Sequence, residues 1–247
     1  MRLDHLLFTQ GFGTRRVCAG LIEQGLVRLG GQVCTDPATE VDTGGEGLAF
    51  GVQGQDWLYQ PRAYLMLHKP VGHECSQKPG AWPSVYTLLP APLRQRPPAT
   101  KSSAKVMGVQ AVGRLDQDTT GLLLLSDDGA FIHRMNSPRR HVPKVYEVRT
   151  ARPLDAQQTQ RLLQGVVLRD DPAPVRAAAC EIVAAHQLRL TLTEGKYHQV
   201  KRMLAAVGNH VEALHRLRIG ALALPDDLAP GQWRWLSQAD LLALNEG

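Results

Sequence analysis

Cysteine is scarce and scattered in this chain of 247 residues: Cys18, Cys34, Cys75 and Cys180 form no C-x-x-C pair. That spacing argues against a zinc motif and a disulfide framework, and fits a reducing, cytoplasmic setting. No apolar run approaches the roughly 18 residues of a membrane helix, so no membrane partner is expected. The opening Met1-Arg2-Leu3-Asp4-His5 carries an acid early and lacks a signal-peptide core. A P-loop, a dinucleotide fingerprint and clustered metal ligands are also missing, so no cofactor and no metal are expected. His198 has no second ligand at a usable spacing.

Basic residues are few at the start. Residues 1–60 hold four (Arg2, Arg15, Arg16, Arg28) against seven acids, net −3; the remainder is net +8, and the chain is +5 overall. Acids are lacking in residues 90–112, which contain Arg94, Arg96, Lys101 and Lys105. That segment is expected to be a mobile basic loop, either lying on a polyanion or simply solvated.

What is present suits a packed protein. Hydrophobic residues make up 43% and mean hydropathy is −0.21, enough for one large domain with a small one attached. Residues 3–8 and 14–24 are predicted helical, with Leu3, Leu6 and Leu7 on one face and Thr14 as a cap. Gly30-Gly31 between short alternating runs predicts a hairpin. A Gly-rich passage leads to a boundary near residue 61, dividing the chain into 1–60 and 61–247.

The centre of the chain is Gly113-Arg114-Leu115-Asp116-Gln117-Asp118-Thr119-Thr120-Gly121 followed by Leu122 to Leu125. Ala111-Val112 and the leucine run predict two strands, the second buried on both faces. Between them one guanidinium and two carboxylates sit on a tight loop, where scaffolds display chemistry. A turn in which Asp118 and the threonines bond nearby N–H groups is the alternative. Further on, Lys144 to Arg149 alternates, placing Lys144, Tyr146 and Val148 on one face. Val200, Met203, Leu204 and Val207 recur at helical spacing, stopped by Gly208-Asn209. A helix is expected over Pro153 to Leu163, and Ser237 is expected to cap a last one.

The wording around Asp116 resembles the catalytic-aspartate motif of RsuA-type pseudouridine synthases, which isomerise uridine in ribosomal RNA. Ala63 to Gly72 is similar to that family's Y-L-x-x-N-K-P-x-G segment, with His68 replacing the Asn. Lys144-Val145-Tyr146 resembles its K-x-Y motif, Glu194 to Met203 its E-G-x-Y-H-Q-V-K-R-M motif, and Leu214 to Gly220 its last motif. Arg2-Leu3-Asp4, Arg15-Arg16 and Gly25 to Val33 resemble an S4 RNA-binding domain.

The resemblance implies an α+β fold: a small S4-like domain, then a mixed, mainly antiparallel sheet flanked by helices. It implies Asp116 as nucleophile, Tyr146 against the target base and Lys201 as the cation beside the carboxylate. A nearby cation favours the ionised form of a carboxylate. Arg114 would fill the space of the flipped base, and Leu214 or Leu217 would pack beneath that base. Arg15, Arg16, Lys69, Arg139, Arg140, Lys144 and Arg202 are the expected RNA contacts, although Lys69 could equally be a solvated turn residue. The expected partner is ribosomal RNA in an assembling small-subunit particle, met by a cytoplasmic monomer. Large-subunit RNA as the substrate, or a non-catalytic S4-bearing ribosome-binding protein, are the alternatives.

Overall fold

The computed structural model describes residues 1–45, 47–98, 107–169 and 171–245. The chain divides into two compact units. One gathers Met1–Tyr64, Leu89–Gln110 and Ser126–Gly129; the other holds Leu65–Leu88, Ala111–Leu125 and Ala130–Gly247.

The first unit begins with α1 (Leu3–Gln10), which buries Leu3, Leu6 and Leu7 as their spacing predicts. In α2 (Arg15–Glu23) the Thr14 hydroxyl accepts from the Val17 N–H at 3.3 Å, a cap worth about 1 kcal/mol. β1 (Val27–Leu29) and β2 (Gln32–Cys34) pair with Leu29 opposite Gln32. Gly30 and Gly31 between them have φ of 53° and 80°, the left-handed pair that a two-residue hairpin requires. β3 (Ala49–Val52) and β4 (Gln55–Leu58) complete a sheet of order β2-β1-β3-β4. Phe50, Val52, Ile22 and the α1 leucines form its core.

The basic segment departs from expectation. Residues Ala91–Gln95 form α3, and Arg96 is 3% exposed. Its Nε donates to Asp127 at 2.7 Å, Nη1 to the Gln10 side chain at 3.0 Å and Nη2 to the Gln60 carbonyl at 2.7 Å. A guanidinium can be buried once its donors are met, and these acceptors lie far away in sequence. Arg94 stays exposed, whereas Lys101 and Lys105 lie outside the described residues.

The second unit is built on β5 (Tyr64–Lys69), β6 (Gln110–Val112), β7 (Thr119–Ser126), α4 (Gly129–Asn136), β8 (Lys144–Thr150) and α5 (Ala156–Gln164). It continues with β9 (Val166–Leu168), β10 (Asp171–Val175), β11 (Ala179–Ala184), β12 (Gln187–Leu192), α6 (Gln199–Ala206) and β13 (Val211–Ile219). β14 (Leu222–Ala223), β15 (Trp233–Trp235) and α7 (Gln238–Ala243) close the chain. The main sheet runs β11-β12-β8-β13-β7-β5-β15, with β14 on β13 and β6 on β7; β9 and β10 pair separately. β13 and β7 are parallel, while β8, β12, β11 and β14 join antiparallel. This is the mixed, mainly antiparallel α+β sheet expected.

Leu122 to Leu125 are fully buried, each contributing about 1.5–3 kcal/mol. Gly121 has φ 106°, and a Cβ there would lie 2.3 Å from the Arg216 carbonyl oxygen. Only glycine lets β7 close on β13 at that point. α5 starts later than Pro153 because Asp155 and Gln158 form a capping box. β10 and β11 were not foreseen. Prolines alternate in the first, and the second is exposed along most of its length, so neither carries a period-two apolar pattern.

Candidate active site

Asp116 sits in the turn between β6 and β7. The turn is held from several sides. The Thr119 N–H donates to the Asp116 carbonyl at 3.1 Å, and the Gly72 N–H to the Gln117 carbonyl at 2.8 Å. Below it lies Lys69, 0% exposed. Its ammonium donates to the carbonyls of Pro70, Gln117 and Thr119 at 3.0, 3.3 and 2.8 Å. The sequence reading gave Lys69 to RNA; here its donors are spent on backbone oxygens, and burial pushes its pKa down. It positions the turn instead.

α6 supplies the partners of the carboxylate. Lys201 Nζ lies 3.1 Å from Asp116 Oδ2 and also donates to Asp118 at 2.7 and 2.9 Å. Asp118 therefore reaches across the cleft to Lys201 with its side chain. Burial pulls the Lys201 pKa down, but Asp118 and Asp116 outweigh it and hold it above the ordinary value. Burial pushes Asp118 up, and Lys201 reverses this to a net lowering. Lys201 thus stays charged with both acids beside it. His198 Nε2 approaches Asp116 Oδ1 at 3.4 Å. It occupies a left-handed conformation at the start of α6, φ 48° and ψ 33°, with the Tyr197 ring stacked on it at 3.8 Å. The sequence considered His198 only as a metal ligand and missed this placement. Its signal was its position three residues before Lys201.

The turn, α6 and the strands β8 and β13 enclose a cavity of about 830 Å³, within the usual range for ligand sites. Asp116, Tyr146, Lys201, Arg114 and Lys144 all line it. Tyr146 on β8 is half-buried, opposite Arg216 of β13. A neighbouring recess of about 90 Å³ adds Leu214 to Asp116, Tyr146 and Lys201. Leu217 lines neither cavity, so the structure brings Leu214 to the site and leaves Leu217 out.

Other expected contacts do not line the cavity. Arg139 and Arg140 are exposed beside Ser137 and Pro138, which edge the cavity. Arg202 is turned back, its Nη1 donating to the Tyr197 carbonyl at 2.9 Å. Arg15 and Arg16 open α2 in the other unit, both exposed; Arg15 lies over the Phe8 ring. Arg216 was not singled out. It is 3% exposed, yet lines the cavity. Among the described residues no cluster of three His, Cys, Asp or Glu could hold a metal. No helix among them is long and apolar enough to cross a membrane.

The arrangement offers a positioned carboxylate with a cation on one side and an aromatic ring nearby, in a cavity large enough for a nucleotide. Comparison with known proteins agrees with that chemistry. Residues 63–206 match the family model described as RNA pseudouridylate synthase, and residues 1–46 match the S4 domain. The chain is 37% identical over 246 residues to ribosomal small subunit pseudouridine synthase A of Pasteurella multocida, covering 100% of both. It is 38% identical over 249 residues to the protein of that name from Escherichia coli K12, covering 99% of this chain and 100% of the relative. A solved structure described as a pseudouridylate synthase superposes with a TM-score of 0.66 at 33% identity, covering 99% of each chain.

Proposed function

The chain belongs to the RNA pseudouridylate synthase family, with an S4 domain ahead of the synthase domain, and from that premise we propose that it isomerises a uridine of small-subunit ribosomal RNA. The observation that carries the reading is the placement of Asp116 beside Lys201 and Tyr146 in one cavity. Full-length similarity to enzymes named for the small subunit supports the choice of substrate.

The reaction breaks the C1′–N1 bond of uridine and joins C1′ to C5 of the same ring. A carboxylate nucleophile suffices. Asp116 is that nucleophile, attacking C1′ or C6, and Lys201 compensates its charge and fixes its direction. Tyr146 holds the extruded base by stacking, a contact worth about 1–3 kcal/mol per base. Leu214 packs beneath it. Arg114, exposed at the cavity edge, fills the gap the base leaves; flipping costs a few kcal/mol. Arg139, Arg140 and the α2 arginines meet the phosphates. Residues 1–60 act as the RNA-orienting domain and 61–247 as the catalytic one, in a monomeric cytoplasmic protein that meets its RNA within an assembling particle.

The test is tritium release from 5-tritiated, unmodified small-subunit RNA or particles, without added cofactor, followed by mapping of the product. Pseudouridine at one small-subunit position is expected. Product in large-subunit RNA alone would reassign the substrate, and none in either would favour a non-catalytic ribosome-binding role.

A further inference from the structure

Two cations of the cavity have no place in that scheme, Arg216 and Lys144. Arg216 is nearly fully buried. Its Nε donates to the Leu122 carbonyl at 2.7 Å, while its Nη2 is buried without a hydrogen-bond partner among the described residues. The guanidinium carbon lies 6.0 Å from the centre of the Tyr146 ring, so the charge sits beside the aromatic that would carry the base. Lys144, two residues before Tyr146 on the same face of β8, lines the same cavity. Burial, and secondarily Arg216, push its pKa down to about 8.

Among the described residues, no carboxylate of the cavity pairs with either group. Asp116 and Asp118 are engaged by Lys201. Glu194 accepts from the Gln199 side chain at 2.8 Å, and Glu74 from the N–H groups of Gly80 and Trp82 at 3.0 and 3.2 Å. Burying positive charge without a counter-ion is costly. Such a site stabilises negative charge that arrives later, and does so without reorganisation.

We propose that Arg216 and Lys144 form a cationic floor that takes up the negative charge borne by the uracil ring during the reaction. The inference rests on the proposed function and adds to it. Either route generates that charge. If Asp116 attacks C1′, the C1′–N1 pair leaves with N1, and the uracil anion spreads over N1, O2 and O4. If it attacks C6, the electron pair of the C5–C6 double bond moves into the ring as an enolate ending on O4. The rest balances in both: C1′ joins C5, the C5 proton is lost, N1 regains a proton and the Asp116 carboxylate is released. No oxidant or reductant is needed.

The experiment compares Lys144→Met, Arg216→Gln and Arg216→Lys with the wild type. It follows single-turnover conversion at saturating protein, RNA affinity by filter binding, and melting temperature. A second RNA carries 5-fluorouridine, whose ring bears negative charge more readily, and C1′–N1 cleavage is followed. Lys144→Met should slow conversion by about tenfold or more, the equivalent of about 1.4 kcal/mol. Its RNA affinity should change little, and its melting temperature should not fall, because a poorly solvated charge has been removed. Arg216→Gln should be slower still and Arg216→Lys partly restored. On the fluorinated RNA these deficits should shrink. A merely structural role would lower melting temperature and rate together and leave the deficit equal on both RNAs, which would overturn the proposal. Loss confined to affinity would make Lys144 a phosphate contact and overturn it too. Should Arg216→Gln not fold, Lys144→Met decides alone. A wild type that forms no pseudouridine would instead remove the proposed function itself.

Discussion

Two ion pairs, one in each unit, use the same chemistry for different ends. Arg96–Asp127 lies at 2.7 Å with both side chains 3% exposed. Arg96 donates from its other two nitrogens to Gln10 and Gln60, and Asp127 accepts the Ala63 N–H at 2.8 Å. Lys201–Asp116 lies at 3.1 Å with about a quarter of each side chain exposed. It opens onto a cavity, and the lysine is shared with Asp118. A closed pair in which each guanidinium nitrogen donates to an acceptor can only hold segments together. An open pair leaves the carboxylate reachable from the cavity, where a reactant can meet it. The difference lies in what surrounds the pair, not in the residue types.

Breaking each pair should therefore give opposite phenotypes. The largest effect on stability is expected from Asp127→Asn, which strands a buried guanidinium. Breaking a buried pair from one side costs about 3–5 kcal/mol, read by denaturant unfolding, while turnover per folded molecule stays near wild type. Turnover of the variant falling as far as its stability would mean that this pair also serves the site. Next comes Lys201→Met. It should cut single-turnover conversion by about tenfold to a hundredfold, since each factor of ten is about 1.4 kcal/mol. Melting temperature should shift by only a few degrees, as the pair is partly solvated. A rate within twofold of wild type would remove Lys201 as the compensating cation.

Lys69→Met sharpens the contrast from below the turn. It strands carbonyls whose loss of partners costs about 1–3 kcal/mol, and a loosened Asp116 should lower the rate while RNA affinity holds. Weakened RNA binding in a filter assay would return Lys69 to the contacts the sequence suggested. Smallest is the effect on affinity of surface charge. Arg139→Glu with Arg140→Glu should weaken RNA binding more than Arg15→Glu with Arg16→Glu, and each lost phosphate contact should reduce the salt slope by about 0.7–0.9. The reverse order would make residues 1–60 the main anchor despite their net −3.

Much of this was legible in the residues. Leu122 to Leu125 announced a buried strand, Gly30-Gly31 a hairpin, and the spacing of Val200, Met203 and Leu204 a helix with Lys201 on its first turn. Local pattern suffices where local pattern is the cause. It fails where a side chain is satisfied by a partner remote in sequence. Arg96 looked like a solvated or RNA-bound cation because Asp127 and Gln10 are 31 and 86 residues away. Lys69 looked available because its acceptors are main-chain oxygens, which the sequence does not distinguish. His198 and Arg216 were visible as residue types, but their nearness to Asp116 and Tyr146 depends on how α6 and β13 are registered against the turn and β8. The choice between Leu214 and Leu217 needed that register as well.

The central claim is that Asp116 acts as an ionised nucleophile, held by Lys201 but not consumed in holding the fold. Single-turnover conversion of unmodified small-subunit RNA by Asp116→Asn, at saturating protein and beside its melting curve, tests it most directly. The substitution keeps size and one acceptor oxygen and removes the charge. The account predicts no detectable pseudouridine, with RNA affinity and melting temperature close to wild type. Product formed at a rate near that of the wild type would contradict it.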